Sequence, residues 1–354
     1  NFEDRKLIEI VKATYFNPKI VVIDETTTAL SQEGREELYK HMERIRKSGN
    51  TVIFISHDLP EIIEKSDTIT ILRDGVYIDT VKSKDVNEND LKKLMVGREV
   101  TGDYYRSDYG EKVSDEVVLS VKDVTVPGLI ENVSFDLHKG EILGFGGLSE
   151  SGMHEIGKAI FGASYDREGT VELADGTQIN DIPTAIKHSI AYTSKDRDNE
   201  SVVLNQSIGD NICLPSLDEL SGPAHLISDK KKKDFANKFA KQMSVKMVDV
   251  NQFVSNLSGG NKQKVVLARW IGKDSDIVVL DSPTRGIDIK VKQDIYQLMN
   301  QMRKNGKSII MISEELMELI GMCDRIMIMK DGKISGELER DQNLDENGLI
   351  TMMV

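Results

Sequence analysis

KIVVIDETTTALS (Lys19–Ser31) and DIVVLDSPTRGID (Asp276–Asp288) are two versions of one phrase. Each is a short β-branched run without polar interruption, then an aspartate, then a turn. Such runs read as strands buried on both faces, the kind found in parallel sheets covered by helices. An aspartate closing such a strand puts a carboxylate where a hydrated Mg²⁺ can reach it, which makes Asp24 and Asp281 candidate metal ligands. In the first version Glu25 follows and is placed to orient a water. In the second the residue is Ser282, which cannot act as a base at neutral pH.

The two phrases belong to a longer repeat. Asp281 stands 257 positions after Asp24, and SIIMISEE (from Ser308) follows TVIFISHD (from Thr51) at the same interval. LRDG at Leu72 meets MKDG at Met329, again without a gap, and LKKLMV meets LITMMV after one inserted residue. Extended backwards, the alignment sets Ser258 against Asn1, so the first copy enters partway through its fold. In that copy we expect strand Ile20–Asp24, helix Arg35–Lys47, strand Thr51–Ser56, helix Leu59–Glu64 and strand Thr68–Leu72, an α/β alternation. Gly97–Glu116 is polar and aperiodic and reads as a linker. The second copy opens on EVVLSVKDVTV and ENVSFDLHKGEILGFGG, an antiparallel layer feeding a core strand. Ser228–Met247 reads as one long surface helix capped by Ser228. The domains are therefore 1–96, 97–116 and 117–354.

After the strand ending at Gly146 comes GLSESGMHEIGKAIFG, in which Gly147 and Gly152 have the spacing of a phosphate loop. Such a loop turns amides and a helix N-terminus toward a polyphosphate. The pattern then demands Lys and Ser or Thr, and this chain has Met153 and His154. At the next strand end His57 stands where a γ-phosphate contact belongs, and its repeat partner is Glu314, whose charge repels phosphate. NLSGGNKQKVVLAR (Asn256–Arg269) is the most specific stretch. Ser258, Gly259 and Gly260 offer a hydroxyl and unhindered amides at the start of a helix beginning near Asn261. The matching positions Asn1, Phe2 and Glu3 form a useless anion site.

A net charge of −13 disfavours a nucleic-acid backbone as partner. The lysines at 230–233 read as a solvated helix start. Two distant cysteines, Cys213 and Cys323, exclude a disulfide framework and suit a reducing compartment. Six scattered histidines have no metal-ligand spacing, and no apolar run reaches membrane-spanning length. The chain begins at Asn1 without a methionine, so an upstream extension is expected.

These motifs resemble those of the ATP-binding cassette proteins, which are P-loop NTPases. LSGGNKQKVVLAR is similar to their signature, IVVIDE and IVVLDS to their Walker B strands, Ser56-His57 to the switch histidine, and Gly147–His154 to a degenerate Walker A loop. Tandem cassettes, the LSGGN-x-QK signature, LMVGRE and TSKDRDNESVVLNQSIGDNI resemble the monosaccharide (ribose, galactose, xylose type) importer ATPases of bacteria. The resemblance implies a mainly parallel sheet, an antiparallel β subdomain and a helical subdomain, in two copies with the first incomplete. It also implies that cassettes pair head to tail, within a chain or between copies, each ATP lying between one Walker face and the opposite signature. One composite site then joins Asp24, Glu25 and His57 to Ser258–Asn261 and is intact. The other joins Gly147, Gly152, Asp281, Ser282 and Glu314 to residues 1–5 and is damaged. The implied cofactors are ATP and Mg²⁺. The implied partners are permease subunits on separate chains and an extracytoplasmic sugar-binding protein, at the cytoplasmic face of the membrane. The first phosphate loop would precede Asn1, so weak or no turnover is expected of these residues alone. Rival readings are a soluble tandem-cassette ATPase acting on ribosomes or nucleic acid, and a non-hydrolysing scaffold.

Overall fold

The computed structural model describes residues 2–353 except 17, 25, 28–29, 31, 57, 74–75, 89, 92–93, 95–103, 110–111, 149, 223–225, 288 and 342–343, and leaves the side chains of 2–7, 32–33 and 73 undescribed. The chain divides into two compact units, 1–102 with 288–290 and 103–287 with 291–354.

In the first unit the elements run α1 (Phe2–Thr14), β1 (Ile20–Asp24), α2 (Gln32–Lys47), β2 (Thr51–Ile55), α3 (Leu59–Lys65), β3 (Thr68–Arg73) and β4 (Val76–Lys82). β1 and β2 pair in parallel, and β3 and β4 form an antiparallel hairpin. Val21 and Ile23 point into a small core with Leu38 and Met42 of α2. The opposite face of the pair is bare: Val22 is 58% and Ile53 47% exposed.

The second unit is built around a six-stranded sheet. Its elements are β5 (Val117–Val126), β6 (Ile130–His138), β7 (Ile142–Gly147), α4 (Met153–Ile160), β8 (Glu168–Leu173), α5 (Ile182–Lys187), β9 (Ile190–Thr193), α6 (Ile208–Cys213), α7 (Leu217–Leu220), α8 (Asp229–Gln242), α9 (Gly259–Lys273), β10 (Ile277–Asp281), α10 (Ile289–Lys304), β11 (Ser308–Ile312), α11 (Leu316–Met322), β12 (Arg325–Lys330), β13 (Lys333–Glu339) and α12 (Glu346–Met353). Strand order is β13-β12-β7-β11-β10-β9, parallel throughout except for β13 at the edge. β5, β6 and β8 form the separate antiparallel layer, and α6 and α8 pack on α9 as a helical layer. Every residue of β7, β10 and β11 is buried, as apolar strands covered on both faces should be.

The repeat interval is kept in the hydrogen bonding. Ile20 pairs with Thr51 and Ile277 with Ser308. The β3–β4 hairpin shifts register after Ile71, and β12–β13 shifts after Ile328, again 257 positions on.

Two expectations are corrected. The surface helix ends at Gln242, short of Met247, because Ser244 takes a left-handed φ of 51°. Ser228 holds the N-cap position but makes no side-chain cap bond. The linker is not free over its whole length, because residues 104–109 are drawn into the second unit. Buried Arg106 donates to Asp108 (2.9 Å), Asp324 (2.7 Å) and the Met322 carbonyl (2.8 Å), and Arg303 donates to Asp108 at 3.0 Å. Tyr104 and Tyr105 pack their rings on Tyr296 at 5.4 and 5.3 Å. A few large side chains without periodicity anchor this stretch, so no pattern announced it.

Candidate functional site

Strand β7 delivers Gly147 to the loop, and Gly152 starts α4. Both positions require glycine: a Cβ on Gly147 would lie 2.7 Å from the Met329 carbonyl oxygen, and one on Gly152 2.6 Å from that of Leu129. Gly152 also has φ +89°, where L side chains are strained. The loop has therefore kept its glycines while losing its cation, because the lysine position is filled by fully buried Met153.

His154 stands where a Ser or Thr hydroxyl would ligate Mg²⁺. Its Nδ1 lies 2.7 Å from Oδ1 of Asp281 and its Nε2 3.3 Å from Oε1 of Glu314. His154 and Asp281 are 2% and 1% exposed. Burial opposes the charged imidazole, but the hydrogen bonds to Asp281 and then Glu314 outweigh it and hold the pKa above the ordinary histidine value. Ser282 donates to Asp281 at 3.2 Å, and Tyr192 donates to its other oxygen at 3.5 Å.

These residues do not fit the Mg²⁺ expected at Asp281. Magnesium needs oxygen ligands at about 2.0–2.1 Å in near-octahedral order. Here the hydroxyl is an imidazole, and the aspartate spends its oxygens on that imidazole, a serine and a tyrosine. No cluster of three His, Cys, Asp or Glu able to hold a metal occurs among the described residues. The sequence pointed to the loss of Lys and Ser/Thr, but not to the contact by which His154 satisfies both Asp281 and Glu314.

Asp24 closes β1 with an exposed carboxylate, and Thr26 Oγ1 donates to its backbone oxygen at 3.3 Å. One exposed carboxylate fits Mg²⁺, which commonly takes one or two beside water and phosphate oxygens. Glu25 and His57, the expected catalytic pair, lie outside the described residues, as does Asn1.

The signature stretch folds as expected. Ser258 is the N-cap of α9, a helix of 15 residues, and its side chain makes no cap bond. Instead Ser258 Oγ accepts from Asn261 Nδ2 at 3.0 Å, and Asn261 Oδ1 accepts from the Lys246 amide at 2.7 Å. Gly259 faces a guanidinium, since a Cβ there would stand 3.1 Å from Arg197 Nη2. Farther along α9, buried Arg269 donates to the carbonyls of Asn211 and Ser201, both at 2.7 Å. Burial pushes its pKa down to about 10. The helix that presents Ser258 is thereby tied to the helical layer and to segment 197–201.

Sequence reading also missed a pair of carboxylates, Glu61 and Glu318, each gathering hydroxyls behind an aspartate turn. The signal was available: the partners are identical in both copies, although the chemical positions differ.

Residues 130–285 match the ABC transporter family. The chain is 38% identical over 347 residues to the ribose import ATP-binding protein of Clostridium tetani, spanning 98% of this chain and 68% of that one. It is 42% identical over 347 residues to the xylose import ATP-binding protein of Thermoanaerobacter pseudethanolicus, spanning 96% and 68%. A bacterial ABC transporter cassette solved as a dimer superposes with a TM-score of 0.56 at 22% identity, over 63% of this chain and 99% of its own, a likeness of fold. Taken with the fold, these similarities show that the chain belongs to the ATP-binding cassette (ABC) family of transporter ATPases.

Proposed function

We propose that the chain serves in the ATPase subunit of a sugar importer and that ATP is split at only one of its two kinds of site. The observation that carries this reading is the sorting of the losses. Met153, His154, Ser282 and Glu314 all fall on the second Walker face, while Asp24-Glu25 and His57 on the first and Ser258–Asn261 in the signature keep their chemistry. Independent decay would scatter across both sites.

In the competent site Glu25 orients the attacking water, His57 contacts the γ-phosphate, and Asp24 supplies a carboxylate to the metal. Mg²⁺ bound there would neutralise charge on the phosphate oxygens. Ser258, Gly259, Gly260 and Asn261 close on the nucleotide from the complementary cassette, in one chain or between copies, with amides at a helix N-terminus. Turnover would drive permease subunits on separate chains, fed by an extracytoplasmic sugar-binding protein, with the subunit peripheral at the cytoplasmic face. The similarity to ribose and xylose import proteins favours a monosaccharide. No helix among the described residues is long and apolar enough to cross a membrane, in keeping with a separate permease.

The test is ATP turnover by the subunit assembled with its permease. Glu25→Gln abolishes turnover, and Ser282→Glu changes it by less than about twofold, because His154 still fills the metal position beside it. A large gain or loss from altering residue 282 would refute the assignment.

A further inference from the structure

In both halves of the chain one carboxylate gathers hydroxyls from three separate segments. Glu61 of α3 accepts from Thr27 at 3.1 Å, from Ser56 at 2.8 Å and from Tyr39. Thr27 stands two residues after Glu25, Ser56 directly precedes His57, and Tyr39 comes from α2. Glu318 of α11 does the same with Thr284, Tyr296 and Ser313, the last at 2.8 Å. Every member is 257 positions from its twin. An outer ion pair recurs at the same interval, Arg35 with Asp58 at 3.8 Å and Lys292 with Glu315 at 2.7 Å. The loop geometry recurs with it, since Ser56 Oγ accepts from the Asp58 amide at 3.1 Å and Ser313 Oγ from the Glu315 amide at 3.0 Å.

The residues that would touch nucleotide differ between the halves, Glu25 against Ser282 and His57 against Glu314, while the four members of the clamp are identical. An ionised carboxylate only accepts hydrogen bonds and has room for several, so it can tie three hydroxyl donors at once. Glu61 thus ties the turn after β1 to the end of β2. These two backbone segments carry Glu25 and His57.

We propose that Glu61 is a positioning residue for ATP hydrolysis, fixing the turn that follows Asp24-Glu25 against the strand end that precedes His57. This rests on the roles assigned above to Glu25 and His57. A displacement of about 1 Å in a group that must align with a reacting atom can cost about 100-fold in rate. Glu318 makes the same contacts where no such group remains, so it serves the fold alone and acts as an internal control.

The experiment measures kcat and KM for ATP in the assembled transporter, with melting temperatures for each variant. Glu61→Gln lowers kcat by about 10- to 100-fold while KM stays within about threefold. Thr27→Val moves kcat in the same direction, and Thr27→Ser, which keeps the hydroxyl, holds it near wild type. Glu318→Gln lowers the melting temperature comparably but leaves kcat within about twofold. If Glu61→Gln loses its fold, the Thr27 pair decides. Wild-type kcat in Glu61→Gln or in Thr27→Val, or an equal fall in Glu318→Gln, overturns the proposal. Full turnover in Glu25→Gln is a different outcome, overturning the underlying assignment and the proposal with it.

Discussion

Replacing His154 with alanine tests the reading of the second phosphate loop most directly. Asp281 is 1% exposed, and its closest partner is the imidazole at 2.7 Å. Without it the carboxylate keeps, among the described residues, only neutral hydrogen-bond donors, Ser282 at 3.2 Å and Tyr192 at 3.5 Å. Removing one partner of a buried ion pair costs about 3–5 kcal/mol, because the remaining charge is stranded away from water. That is a large part of the roughly 5–15 kcal/mol that holds a domain folded. The chain contains one tryptophan, Trp270, buried on α9 against Phe161. Its fluorescence therefore reports urea unfolding of the second unit alone. With a slope of about 3 kcal/mol per molar, the midpoint should fall by about 1–2 M. The pH dependence has a definite sign. A histidine whose folded pKa lies above its unfolded value contributes stability that is complete below about pH 6.5 and is lost as pH rises through the folded value. The deficit of His154→Ala should be largest near pH 6 and shrink in alkali. Adding Asp281→Asn should recover part of it. A deficit under about 1 kcal/mol at pH 6, or one that grows with pH, would refute the claim that a charged imidazole fills the metal position.

Asp108 gives the opposite sign. Burial pushes its carboxyl up, but the Arg106 guanidinium, with Arg303 beyond it, outweighs that and lowers the pKa to about 2. The stability it adds, on the order of 2 kcal/mol, is present above the unfolded value near 4 and lost as pH falls through about 2. Asp108→Asn should show that deficit at neutral pH in the Trp270 assay and converge on wild type between about pH 4 and 2. Gly152→Ala combines a forced left-handed φ with a contact on the Leu129 carbonyl. It should cost about 1–3 kcal/mol in the same assay, although no lysine follows to make the loop functional.

The α/β alternation, both strand-end aspartates, the antiparallel layer and the signature helix were legible because each rests on a local pattern. Burial was less so. IVVID and IVVLD are nearly the same pentapeptide, yet alternate residues of β1 are bare while all of β10 is covered. The difference lies in the strands and helices around them, which a pentapeptide does not encode. The anchoring of residues 104–109 was hidden for a related reason. Arg106 meets Asp324 across more than 200 residues of sequence, and one arginine in a polar stretch carries no period. The clamp around Glu61 was readable in principle, since identical Thr, Tyr, Ser and Glu at one interval stand out against diverged neighbours.

The substitutions on the second Walker face form a coupled set. A strand-end aspartate only 1% exposed cannot be left without a cation or donors, because its desolvation would then have no compensation. If the Ser or Thr and its metal go, something must take their place against Asp281, and an imidazole from the first turn of α4 reaches it. Once that imidazole is charged, a neutral or cationic group at position 314 would leave its second N–H without a strong acceptor. Glu314 supplies the acceptor at 3.3 Å, at the position where the first copy has His57. On the one-site reading proposed above, Ser282 is then neutral, because a carboxylate there would orient water toward a phosphate that a loop lacking its lysine would not draw in. Restoring Met153→Lys alone should therefore fail to rebuild a nucleotide site. The lysine would join an occupied ion cluster, and only its combination with His154→Ser and Glu314→His frees Asp281 for a metal. Mn²⁺-dependent binding of a nonhydrolysable ATP analogue, followed by electron paramagnetic resonance, separates the two cases. Strong binding by the single variant would show that His154 does not hold the metal's place.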